Sequence, residues 1–159
     1  MNRKIIILVI FILLILIIFF IKNNDKNINN EINDTSKTIN REEIKDMSVI
    51  ISINNREYSV DLEDNDTVKE LLKLLPINMN MTDLNNNEKY IYLDNTFTTN
   101  SFNPKRIEKG DIYLYGNNCL VIFYKSFDTN YSYTKIGHIN NLEDLDNNSI
   151  EVKIYEKNN

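Results

Sequence analysis

The chain has 159 residues, of which 42% are hydrophobic and 26% charged, with a formal net charge of −5. Seventeen apolar residues stand in one uninterrupted run, Ile5–Ile21, so much of the hydrophobic content is not available to a soluble core. Only Arg3 and Lys4 of the 18 bases precede that run. From Lys22 onward 16 bases face 23 acids, a net of −7, which excludes a basic nucleic-acid surface.

At ~1.5 Å per residue the run makes about 25 Å of helix, the short end of what crosses a ~30 Å hydrocarbon core. Lys4 and Lys22 can snorkel to cover the difference. A cleaved leader needs small residues after its apolar segment, and Phe19-Phe20-Ile21-Lys22-Asn23-Asn24 offers none. A lipid-anchored leader needs a Cys there, and the only Cys is Cys119. Residues 5–21 are therefore read as an uncleaved, single-pass transmembrane helix. The positive-inside rule places residues 1–4 in the cytoplasm and the rest outside the cell membrane.

Residues 22–46 are rich in Asn, Asp, Glu and Lys and contain no aromatics. Such a segment cannot repay the entropy of ordering and is read as a tether reaching roughly 25–30 Å. A short helix around Ile39 to Lys45 is the one element it could hold. Residues 47–159 suffice for one compact domain and not for two.

Within that domain the apolar pattern has period two. Met47–Ile53, Asn54-Asn55 and Arg56–Leu62 predict a hairpin, since Asn tolerates the positive φ of a two-residue turn. Asp64 or Asp66 is placed to cap a helix whose apolar face is Val68, Leu71, Leu72 and Leu75, ended by Pro76. Further strands are predicted at Ile77–Leu84, Lys89–Leu93, Ile112–Tyr115, Cys119–Tyr124, Thr134–Ile139 and Ser149–Tyr155. A polar loop fills Asp94–Lys109, and a helical turn is expected at Leu142–Leu145. Many strands and one or two short helices in this length imply an antiparallel barrel or sandwich, and closure into a barrel leaves no free edge.

Four blocks in order carry a resemblance: Leu71-Leu72-Lys73-Leu74-Leu75-Pro76; Met81 to Tyr90; Gly110 to Gly116; and Leu120 to Phe127 with Tyr131, Tyr133, Thr134 and Gly137. Together they resemble the bacterial cyclophilin-like domain proteins over residues 47–156. The resemblance implies a mostly β protein, a closed antiparallel cyclophilin-like barrel with a helix over one mouth. It also implies a secreted or lipid-anchored setting, on which an uncleaved anchor would be a variation, or a place beside flavodoxin-type modules. It carries no activity with it. The Phe-His-Arg strand and the Gly-rich Phe-Met-Gln-Gly-Gly block of the true peptidyl-prolyl isomerases have no counterpart here, and the domain's only arginines are Arg56 and Arg106.

All nine Tyr lie in the domain, and five fall between Tyr113 and Tyr133. Tyr115, Phe123, Tyr124, Tyr131 and Tyr133 are therefore candidates for the lining of a pocket, with Asp111, Lys125 and Ser126 as polar contacts. The stretch Ser126–Thr134 alternates polar and aromatic residues, as binding loops on a rigid scaffold do. The lone His138 and the absence of any paired-Cys, phosphate-loop or dinucleotide motif leave no catalytic, metal or cofactor site to assign. The acids at Glu63, Asp64, Asp66, Glu143, Asp144 and Asp146 lack the spacing of a calcium loop. The expected function is a membrane-held, extracytoplasmic module that binds a small molecule or an extended peptide, with a prolyl isomerase or folding helper as the alternative.

Overall fold

The computed structural model describes residues 49–157. The cytoplasmic end, the anchor at 5–21 and the tether at 22–46 lie outside the described residues. Among those described, no helix is long and apolar enough to cross a membrane.

β1 (Val49–Ile53) and β2 (Arg56–Leu62) form the expected hairpin, with Asn54 at φ 49° and Asn55 at φ 68°. Both angles lie in the left-handed region, where Asn is among the best-tolerated residues that carry a side chain. The helix follows as α1 (Asp66–Leu72), and Asn65, neither Asp64 nor Asp66, caps it. The Asn65 backbone is extended and its Oδ1 accepts from the Val68 N–H at 2.9 Å, while Asp66 already lies within the first turn. The Asn65 Nδ2 donates to the Lys135 carbonyl at 2.8 Å, so the cap also fixes where the helix sits.

The chain then runs through β3 (Ile77–Leu84), β4 (Glu88–Tyr92), β5 (Arg106–Ile107), β6 (Asp111–Tyr115), β7 (Cys119–Phe123), β8 (Phe127–Asp128), β9 (Thr134–Ile139) and β10 (Ile150–Glu156). Eight of these close a barrel in the order β1-β10-β3-β4-β7-β6-β9-β2, every pair antiparallel. Inward residues of alternating positions, among them Ile51, Met81, Leu114, Leu120, Ile122 and Val152, fill the centre. Val68 and Leu71 of α1 are buried over one end, with Leu72 and Leu75 packed beside them. The void they leave against Ile51, Leu62 and Ile136 is only about 10 Å³ and lined by apolar side chains, too small for a ligand, so this end of the interior is packed core.

The far end of β3 is closed by a charge. Lys89 is fully buried, and its Nζ donates to Asp83 Oδ1 at 2.7 Å and to the carbonyls of Asp146 at 2.6 Å and Asn148 at 2.8 Å. It also stands 4.7 Å from the centroid of the Tyr124 ring, whose hydroxyl donates to the same Asp83 Oδ1 at 2.6 Å. This explains why Leu142–Leu145 does not form the expected helical turn. Leu142 is buried and Leu145 packs on the core, and the carbonyls just beyond them turn to Lys89.

Two elements fall where a plain loop was expected. β5, in the polar stretch before Gly110, pairs with β8 in a two-stranded ribbon outside the barrel. Ile107 and Phe127 of the ribbon join Tyr113, Cys119, Val121, Phe123 and Tyr133 in a second apolar cluster, which is why all five residues of β7 are buried.

Gly137 sits where β9 meets β2, and a Cβ there would stand 2.4 Å from the Asp61 carbonyl oxygen. Backbone cannot give way as a flexible side chain does. Gly137→Ala should therefore lower stability by at least about 1 kcal/mol. An unchanged urea midpoint would show that the strands separate there without cost.

Candidate functional site

A cleft of about 310 Å³ opens on the outer face of the barrel, beyond the edge of the β5–β8 ribbon. β4 supplies Glu88, Tyr90 and Tyr92, residues two apart that face outward because a strand alternates faces. β7 lies beside it with Tyr90 opposite Val121 and Tyr92 opposite Cys119, and these two β7 residues form the floor. Tyr115 comes from the end of β6, paired with Cys119, while Tyr131 and Tyr133 come from the segment before β9. Leu84 and Asn85, at the β3–β4 turn, complete the rim.

Backbone bonds set these aromatics in place. Tyr133 exchanges both N–H···O bonds with Phe102 at 2.9 Å, and the Tyr131 N–H donates to Thr129 Oγ1 at 3.1 Å. The end of β4 is tied to the β6–β7 turn by the Leu93 N–H to the Asn118 carbonyl at 2.9 Å. Tyr115 meets Tyr131 at 6.2 Å and 88° and Tyr133 at 5.6 Å and 53°, and across the cleft Tyr90 meets Tyr92 at 6.0 Å and 83°. These are edge-to-face and tilted contacts of the favourable kind. Tyr92 and Tyr131 remain 64% exposed and Tyr115 44%, so three aromatic rings present their surface to solvent side by side.

Glu88 is the only charged side chain in the lining. Burial first, and the charge of Asp83 second, push its carboxyl up to about 7. Burial, with the Glu88 charge behind it, also pushes the Cys119 thiol up, so that this Cys is held as a thiol and not as a nucleophilic thiolate. Tyr133 is raised by burial as well, with Glu88 contributing.

The residues expected to share one pocket separate into four environments. Tyr115, Tyr131 and Tyr133 do line the cleft. Phe123 lies behind it under the ribbon, fully buried, with its ring 5.6 Å from Tyr133 and 5.5 Å from Phe127. Tyr124, its neighbour in sequence, faces the barrel interior with Asp83 and Lys89, and Lys125 lies over the same ring at 5.6 Å. Asp111 is buried and braces the chain before β6, its Oδ1 3.0 Å from His138 Nδ1 and its Oδ2 accepting from the Glu108 N–H at 2.9 Å. Ser126 accepts from the Lys109 N–H at 2.9 Å and donates to Glu108 Oε2 at 2.7 Å.

Comparison with known proteins fits this architecture. The profile of the cyclophilin-like family matches residues 51–155, about two thirds of the chain. The chain belongs to the cyclophilin-like family. The cyclophilin-like barrel is similar to the solution structure of a hypothetical protein from Archaeoglobus fulgidus, with 16% identity and a TM-score of 0.46, covering 70% of this chain and 95% of that one. No curated protein matches. Both arginines of the cyclophilin-like domain are engaged away from the cleft, Arg56 with Glu143 and Arg106 with Glu108 at 2.7 Å and Asp128 at 3.1 Å. Among the described residues no cluster of His, Cys, Asp and Glu is arranged to hold a metal ion.

Reading the sequence for aromatic density found Tyr115, Tyr131 and Tyr133 but missed Glu88, Tyr90 and Tyr92. Their signal was present as period two in β4, an acid and two tyrosines on one face. What the sequence did not show was that this face lies beside Cys119 and Val121.

Proposed function

We propose that the chain is a ligand-binding module of the cyclophilin-like family, held at the cell membrane by Ile5–Ile21 with its barrel outside the cell. The cleft carries the binding half of this reading: three exposed tyrosines converge around a single carboxyl on a rigid strand scaffold. Its volume, about 310 Å³, lies at the small end of ligand pockets and favours a small molecule over a long peptide. Binding ranks above prolyl isomerisation because neither arginine borders the cleft and no other cation does.

A fragment screen by ligand-observed NMR on the full chain in maltoside micelles tests the binding role. Hits should compete with one another, and the double variant Tyr115→Ala/Tyr131→Ala should abolish them, since both rings are exposed and removable without opening the core. Hits indifferent to that variant would sink the proposed site. For the anchor, the chain should fractionate with membranes and its barrel should be cut by protease added outside intact cells. A mature chain beginning after Ile21 would show a cleaved leader instead.

A further inference from the structure

We infer that the aromatic cleft takes a small organic cation of the methylated-ammonium type, seated between the tyrosine faces and the Glu88 carboxylate. The inference rests on the binding reading above and gives its ligand a chemical class. Tyr115, Tyr131 and Tyr133 form one wall and Tyr90 and Tyr92 the other, and the ring pairs meet at 53–88°, so the five rings do not lie in one plane around the space. The face of an aromatic ring carries negative electrostatic potential and attracts a cation, and most of all one whose charge is spread over methyl groups and is cheap to desolvate. An anion would meet those faces and a carboxylate together.

Glu88 adds the second observation. It is partly buried, its strand points it into the cleft, and among the described residues no cation pairs with it and no donor bonds it. The groups around it are Asp83 from β3, Cys119 from β7 and Tyr133 from the segment before β9, all acidic or neutral. A half-buried carboxyl with no partner is costly unless something brings a positive charge to it. Lys89, next to it in sequence, cannot, because strand alternation turns its ammonium inward to Asp83. The balance of 23 acids to 16 bases from Lys22 onward also favours the approach of a cation over that of an anion.

The test compares choline with 3,3-dimethylbutanol, which has the same shape with carbon in place of the charged nitrogen. Both are titrated by calorimetry into the full chain in maltoside micelles. Choline should bind at least about tenfold more tightly than the alcohol. Glu88→Gln should remove most of that difference by weakening choline, and a near-UV circular dichroism spectrum like the parent's shows the barrel and its tyrosines still in place. Short-chain phosphatidylcholine binding more tightly than choline would assign the cation to a lipid headgroup, and weaker binding to a free ligand; either outcome supports the inference. Equal affinity for choline and the alcohol would overturn it while keeping a binding cleft. No binding of either would overturn it too, and the fragment screen then decides separately whether the cleft binds at all.

Discussion

Lys89→Met should destabilise the barrel by about 3–5 kcal/mol, a large share of the 5–15 kcal/mol that holds a domain of this size together. Methionine keeps the length of the side chain, so packing changes little. What goes is the ammonium that satisfies the Asp83 carboxylate and the carbonyls of Asp146 and Asn148 inside the closed end of the barrel. Urea unfolding measures the loss. Lys89→Met/Asp83→Asn should regain part of it, because the carboxylate left without a counter-ion is then neutral, and the two changes should be clearly non-additive. A stability for Lys89→Met within about 0.5 kcal/mol of the parent, the range of ordinary surface substitutions, would mean that the lysine closes nothing.

Asp83 gives this latch a pH signature. Burial pushes its carboxyl up, but the hydrogen bonds from Lys89, Tyr124 and the Asn86 N–H outweigh it, and the group is held below the usual Asp range. Its contribution is therefore complete above the unfolded value of about 4 and is lost as pH falls through the lower folded value. Acid should therefore loosen this end of the barrel.

Glu88→Gln should act in the opposite direction, raising stability by about 2–3 kcal/mol at pH 8 and leaving it nearly unchanged at pH 4. The Glu88 carboxyl is raised to about 7 in the folded chain, by burial first and Asp83 second. Below its unfolded value of about 4.5 both states hold the proton and the folded state bears no penalty. Between there and about 7 the unfolded chain releases the proton while the folded one keeps it, and stability falls; above that range the full cost remains. Glutamine never bears it. Denaturation at pH 4, 6 and 8 reads the difference, and an equal gain at all three would show that the effect is packing and not charge. A variant that is more stable yet binds no cation would show that the barrel tolerates this cost for the sake of its cleft.

The barrel was legible in the sequence wherever a strand had one face in the core and one in water, since period two then marks it, as in β2 and β3. β1 and β7 are buried at every position and were marked instead by their apolar runs, with the Asn54-Asn55 turn ending β1 and the limits of β7 read to within one residue. β5 and β8 were not legible, because two residues carry no period. The helix cap depended on a contact 70 positions away, Asn65 to Lys135, which selects Asn65 over the flanking acids. At the site, the density of aromatics pointed to Tyr115, Tyr131 and Tyr133. Phe123 and Tyr124 were grouped although neighbours in a strand must face opposite ways, and the structure sends one under the ribbon and the other into the barrel. Glu88, Tyr90 and Tyr92 needed the β4–β7 pairing, which joins residues about 30 apart and leaves no local trace.

Both mouths of the barrel are shut, one by Val68 and Leu71 and the other by Lys89, so the surface a ligand touches lies outside the central core, on a floor of Cys119 and Val121. Tyr92, Tyr115 and Tyr131 stand on the outside, where substitutions typically shift stability by no more than about 0.5 kcal/mol. The exposed part of the cleft can thereby vary with little effect on folding, while Glu88 and the buried floor belong to both. A lineage could exchange one ligand for another at three surface positions while the interior stayed as it is, which is the freedom that makes a small closed barrel a reusable scaffold.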